Sequence, residues 1–300
     1  MRSVLALLAA TLVLGAPALA GSRPAPVETH VLATGTAPCG SAVHGGSLWV
    51  GVYEAGTLLR IGGERVVERV RIGRWACRVA VDRRAVWVAR DLARELVRVD
   101  RSNGRIARTR LEGQPFDVLL AGGSIFATGF DTGSVSRVDP ETRHVARVYR
   151  VGRKPTGLAL CGGRVWVGHG EGARWITSIH PTTHRVRRVA LGAAAPRAPV
   201  CLRSELWVTS PDTVLRLDPR TGRVRSRLTI GETLSDAAFG PDGLVWVTDK
   251  EHAVVHRLTP DGRQLVDSVP AGPGAFAVAR MGEAMWVTSF AGADVRRYDP

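Results

Sequence analysis

Lysine is nearly missing from this chain. Lys154 and Lys250 are the only two among 300 residues, so the formal net charge of +14 is carried almost wholly by arginine. Two sources of that excess stand side by side: arginine-biased composition, or a polyanionic partner such as nucleic acid, anionic lipid or a cell-wall polymer. Long apolar runs are missing as well. The one stretch that qualifies, Val4 to Leu14, is too short to span a bilayer. Arg2 precedes it and Ala18-Leu19-Ala20 follows, which is the layout of a secretory signal peptide over residues 1–20. No cysteine follows that run, which argues against a lipid-anchored form. There is no His-Glu-x-x-His, no Gly-x-Ser-x-Gly elbow and no phosphate loop, so zincin, α/β-hydrolase and P-loop chemistries have no motif to rest on. Cysteine is scarce, and Cys39, Cys77, Cys161 and Cys201 lack zinc-finger spacing.

What is present is a repeat. Trp49, Trp87, Trp166, Trp207, Trp246 and Trp286 sit in short apolar strands, and Phe126 fills the one vacancy. These seven anchors are spaced 38 to 41 residues apart. A period of about 40 residues with strand-like copies marks a repeat architecture. Each copy reads alike: an apolar run, a Gly-rich turn (Cys161-Gly162-Gly163), the anchor strand, a polar loop, a third strand such as Val97-Arg98-Val99-Asp100, a turn such as Asp218-Pro219-Arg220-Thr221-Gly222, and an alternating fourth strand. Pro presets φ, Asp bonds its own backbone and Gly takes positive φ in such turns, so the strands run antiparallel. Four strands per repeat make a propeller blade, and seven anchors make an all-β, seven-bladed β-propeller over residues 28–300, behind a flexible leader at 21–27. No Trp-Asp dipeptide follows an anchor, which counts against the WD40 class.

The chain ends just after a third strand, and Glu28 to Ala33 reads as an orphan fourth strand. Pairing the two would close the ring and remove the open edge. The two inner strands read as buried by blade stacking, and the charged fourth strand as the rim. In an exported, oxidised chain the cysteines pair, and matching places in consecutive repeats favour 39–77 and 161–201. An arginine recurs eleven residues after the anchor at Arg60, Arg98, Arg137, Arg257 and Arg297, and nine after it at Arg216. Recurrence of this kind points to architecture, with the guanidinium on nearby carbonyls or on the following Asp. Blade four departs: Ser178 replaces the Arg, His180 replaces the Asp, and the loop His169–Trp175 is unlike its siblings.

Copies such as Glu205-Leu206-Trp207-Val208-Thr209 and Gly240-Pro241-Asp242-Gly243-Leu244-Val245-Trp246-Val247-Thr248-Asp249 resemble the repeats of virginiamycin B (streptogramin) lyase and YncE-like propellers. The resemblance covers residues 28–300. It implies the seven-bladed fold and a superfamily that mixes lyases, polymer or protein binders and members without an assigned reaction. For the lyases it implies a His general base and carboxylates that hold Mg²⁺ near the channel mouth. That set does not map onto this chain residue by residue, and Asp249-Lys250-Glu251-His252 is the nearest cluster of suitable types.

Ligand sites are expected at the mouth, where second-strand loops and first-strand entries gather. Candidate catalytic residues there are His169, Glu171 and His252, and candidate ligand-binding residues are Asp117, Asp131, Asp236, Asp249 and Glu251. The first reading is a secreted, monomeric binding module for a small molecule, peptide or cell-surface polymer, without a cofactor. The second is a lyase breaking an ester C–O bond with Mg²⁺. The third is a binder of anionic polymer through the arginine-rich rim. Nucleic acid is not favoured, because the rim lacks regularly interleaved exposed aromatics.

Overall fold

The computed structural model describes residues 25–192 and 195–300. The expected signal peptide, and most of the leader, lie outside the described residues. Among the described residues the chain forms 28 strands, β1 to β28 in chain order, arranged as seven four-stranded antiparallel sheets. Six of these sheets are sequential: residues 38–71, 76–110, 118–150, 155–190, 198–229 and 234–270 form blades one to six. Blade seven joins β26 (Ala275–Met281), β27 (Ala284–Ser289) and β28 (Asp294–Asp299) to β1 (Val27–Ala33). Val31 stands opposite Arg296 and Leu32 opposite Val295, so the ring closes as the repeat count implies.

Burial follows strand position. The second strands are almost wholly buried, and β11 (Ser124–Gly129) and β27 are buried at every residue. The fourth strands, such as β13 (Val145–Arg150), are largely exposed. First strands are less buried than their apolar sequences suggest. In β6 (Ala76–Val81) and β22 (Leu234–Phe239) half-buried residues are interspersed, because these strands line the central channel. Each anchor packs into a cluster that its own blade shares with a neighbouring blade. Trp49 of blade one lies with Val86, Val88 and Val97 of blade two, and Phe126 of blade three with Val165 and Val167 of blade four. Seven such apolar clusters hold the ring together.

The recurring arginine is the cross-strand partner of the anchor. Trp49 faces Arg60, Trp87 faces Arg98 and Trp246 faces Arg257. The guanidinium lies over the indole at 5.8, 5.9 and 5.8 Å, a cation–π contact. Its hydrogen bonds go mostly to side chains, not to carbonyls: Arg60 to Glu68 at 2.8 Å, Arg137 to Ser124 at 2.8 Å, Arg98 to Asp100 at 3.2 Å. In blade four His180 takes over the turn-capping role of Asp, with Nδ1 accepting from the amides of Thr182 and Thr183. Both cysteine pairs form as expected, Cys39–Cys77 with Cα atoms 4.9 Å apart and Cys161–Cys201 at 5.4 Å. Among the described residues no helix is long and apolar enough to cross a membrane.

Candidate functional site at the channel mouth

Five first strands carry a register shift near their start, at Pro38/Ser41, Ala76/Val79, Pro155/Leu158, Leu234/Ala237 and Ala275/Val278. The extra residue bends the strand and re-aims its side chains. Counting back from the anchor's cross-strand partner, equivalent positions around the ring are Gly40, Arg78, Asp117, Gly157, Ala198, Asp236 and Ala277. Glycine is required at some of them: a Cβ on Gly40 would stand 2.8 Å from the Arg78 backbone. Three of the seven are charged, and they meet.

Arg78 of blade two donates to Asp236 of blade six across the channel at 3.0 Å. Asp117 of blade three is close enough for its charge to act on Arg78. Asp117 also accepts from the amides of Leu158 at 2.7 Å and Val118 at 2.8 Å. Burial pushes its carboxyl up to about 6, against the pull of Arg78 and those amides. The Arg78 guanidinium lies 4.9 Å over the Phe276 ring, and its buried Nε has no hydrogen-bond partner. Beside this group is a cavity of ≈ 200 Å³ whose wall includes Phe116, Phe276, Leu234, Arg197 and Lys250. Neither Arg197 nor Lys250 has an ion-pair partner among the described residues. The site therefore offers three cations and two aromatic faces, and its two carboxylates are already engaged.

Of the residues expected from sequence, Asp117 and Asp236 come together here. The others do not. Asp249 is fully buried, and it ties the entry of blade six to the following hairpin by accepting from the amides of Glu232, Thr233, Glu251 and His252. Its carboxylate also accepts from Nδ1 of His252 at 2.8 Å, and lies 3.3 Å from Nε2 of His256. These bonds hold Asp249 well below the usual carboxylate range against its burial, and the hydrogen bond to Asp249, with its charge, raises His252. Glu251 contributes its backbone to this clamp. Asp131 is held by Arg94 and by the Gln114 amide at 2.7 Å. Glu171 is exposed and stands 3.4 Å from Lys154. His169 is enclosed in blade four, with Nδ1 donating to the Arg153 carbonyl at 2.8 Å and Nε2 2.8 Å from the Thr177 hydroxyl.

His169 and His252 thus belong to different blades' clamps and share no cavity. The residues sequence reasoning passed over are Arg78, Phe116, Arg197, Lys250 and Phe276. Setting the seven repeats in register would have singled out Arg78, which stands where four blades have Gly or Ala next to the channel.

Burial lowers His169 from its ordinary 6.5 to about 4. The unfolded chain binds this proton first, so stability falls as pH drops from about 6.5 towards 4, by up to ~1.4 kcal/mol per unit. Asp117 acts in the opposite sense between about 4 and 6, because its native carboxyl is the stronger proton binder. Denaturant melts at pH 7 and pH 4.5 separate them: His169→Gln should lose less stability on acidification than the parent, and Asp117→Asn more.

Fold and mouth together define a seven-bladed β-propeller with a charged, aromatic-lined channel entrance. Among solved structures it is similar to a catalytically inactive histidine-to-alanine variant of virginiamycin B lyase from Staphylococcus aureus with quinupristin. The TM-score is 0.81 at 15% identity, over 92% of this chain and 99% of that one. It is similar to the Myceliophteria thermophila Cps50 (Swd1) β-propeller domain, with TM-score 0.77, 14% identity and coverage of 92% and 100%. Kuenenia stuttgartiensis hydrazine synthase gives 0.76 at 13%, over 91% and 98%. Proteins of such different names share this fold, so the likeness carries the architecture and not an activity. No family model matches the chain, and no curated protein matches it.

Proposed function

We propose that this chain is an exported propeller that binds a small aryl carboxylate, or a larger ligand displaying one, at its channel mouth. Residues 1–20 act as the signal peptide and 28–300 as the mature binding domain. The observation that supports this is the pairing of the aromatic rings of Phe116 and Phe276 with three cations, two of them without a carboxylate partner, around one cavity. Its ≈ 200 Å³ is below the roughly 300 Å³ at which drug-sized pockets begin, so it takes one ring and leaves the rest of a larger ligand outside. The unpaired Nε–H of Arg78, together with Arg197, suits a carboxylate.

The lyase reading fits less well. It needs a His base and free carboxylates for Mg²⁺. No histidine lines this cavity, Arg78 and backbone amides occupy Asp117 and Asp236, and among the described residues no cluster of three His, Cys, Asp or Glu could hold a metal.

Titration with phenylacetate, followed by NMR, tests the proposal. Saturable shifts are expected at the Phe116 and Phe276 rings. The neutral amide, phenylacetamide, should bind about tenfold more weakly or worse, as should phenylacetate to the Arg197→Ala/Lys250→Ala variant. Equal binding of acid and amide, or no saturable binding across a panel of aryl carboxylates, would sink it.

A further inference from the structure

Blade four frees an arginine that its siblings tie down. In blades one, two and five, a fourth-strand arginine lies opposite Leu59, Val97 and Leu215 of the third strand: Arg69, Arg108 and Arg227. Each donates to the carbonyl just before the glycine that enters its blade. Arg69 reaches Thr34 at 3.3 Å, Arg108 reaches Ile72 at 3.4 Å, and Arg227 reaches Leu191 at 2.6 Å. The blade-four equivalent is Arg188, opposite Thr177. Its carbonyl would be that of Val151, but the Thr177 hydroxyl stands there instead, at 3.4 Å. His169 holds that hydroxyl in place at 2.8 Å. Arg188 has no hydrogen bond or ion pair to the described residues and rests on the Trp175 ring at 5.1 Å.

A second cation is positioned by the same histidine. His169 Nδ1 donates to the Arg153 carbonyl, and the exposed Arg153 side chain has no ion-pair partner among the described residues. Two glycines, Gly152 at the entry of blade four and Gly172 in its second-to-third-strand loop, make room for these groups. A Cβ on Gly152 would stand 2.6 Å from the Arg188 guanidinium, and one on Gly172 would stand 3.0 Å from that of Arg153. Arg153 and Arg188 line an open cleft of ≈ 700 Å³ between blades three and four, together with Lys154 and Arg150. The one carboxylate in its wall, Asp131, is held by Arg94. Arg150 is paired to Glu112 at 3.0 Å and Lys154 to the exposed Glu171 at 3.4 Å, so both can shift to a better anion at little cost.

We propose that this cleft is a phosphate-binding site, distinct from the channel mouth, in which Arg153 and Arg188 grip the oxyanion and Lys154 and Arg150 flank it. Two unspent guanidinium forks on one cleft match the oxygens of a phosphate, and their donors already sit on rigid backbone. The phosphate can be a free ion or one unit of a phosphate-bearing polymer.

Calorimetric titration of the mature protein with inorganic phosphate and with linear polyphosphate tests this. The Arg153→Ala/Arg188→Ala variant should bind at least tenfold more weakly, while Arg65→Ala/Arg220→Ala, equally reduced in charge at other exposed sites, should bind as the parent does. With polyphosphate the slope of log affinity against log salt should fall by about two in the first variant. Binding of both probes points to a site for the single ion; binding of polyphosphate alone, lost in the first variant, points to the polymer. Both arginines are exposed, so the melting temperature and phenylacetate binding at the mouth should be unchanged. The proposal is overturned if neither probe binds the parent, or if the two double variants weaken binding alike, which would make the effect one of net charge.

Discussion

Removing residues 27–33 is expected to unfold the whole ring in one step, not to fray blade seven alone. The segment supplies the fourth strand of blade seven, with six residue pairs to β28 from Val27–Asp299 to Ala33–Asp294 across one register shift. Each ladder bond is worth about 1 kcal/mol net. Leu32 packs on the cluster that includes Trp286, Val295 and Leu48, so the apolar joint between blades seven and one is lost too. Glu28 accepts from Arg296 at 2.9 Å and from the Tyr298 hydroxyl at 3.1 Å, and both bonds would be lost, leaving Arg296 to Asp294 and Tyr298 to the Pro270 carbonyl. These losses together approach the ~5–15 kcal/mol that stabilises a domain. A thermal melt of the truncated chain should show no cooperative transition. A melting temperature like the parent's would mean the ring closes without this strand.

Trp246→Ala should cost about 3–5 kcal/mol, as for large aromatic truncations in a core. The side chain is fully buried and packs on Val278, Met285 and Val287 of blade seven, so the cavity falls at a joint that cannot collapse without separating two blades. It also donates from Nε1 to Asp242 at 3.0 Å and carries the Arg257 guanidinium over its face. Arg257 is itself buried and paired to Asp242 and Asp267. Trp246→Phe keeps most of the volume and removes the donor, so it should cost only about 1–3 kcal/mol. Urea unfolding of the three proteins checks the order; equal losses for the Ala and Phe variants would show that the hydrogen bond, and not the packing, holds the joint.

The ring was legible because each blade repeats the same local rules. An anchor tryptophan, a Gly-rich turn and an Asp-capped turn recur in register, and the leftover strand at each end has only one place to go. Cysteine pairing followed from the same register. The mouth was not legible in that way, because it joins residues far apart in sequence: Arg78 reaches Asp236 across the channel. Asp249 and His252 had suitable chemistry by type, yet a buried carboxylate that accepts four backbone amides is a clamp. The irregular loop His169–Trp175 was visible as a departure. Its consequence, an arginine released from its usual carbonyl, needed the positions of Thr177 and Val151.

We propose that the channel mouth is a site for an anionic aryl group. A crystal structure of residues 25–300 with phenylacetate tests this. The ring is predicted between Phe116 and Phe276, with its carboxylate in hydrogen-bond reach of Arg78 Nε and Arg197. An empty channel mouth at saturating phenylacetate, or the acid seated on another face of the ring, would overturn this assignment.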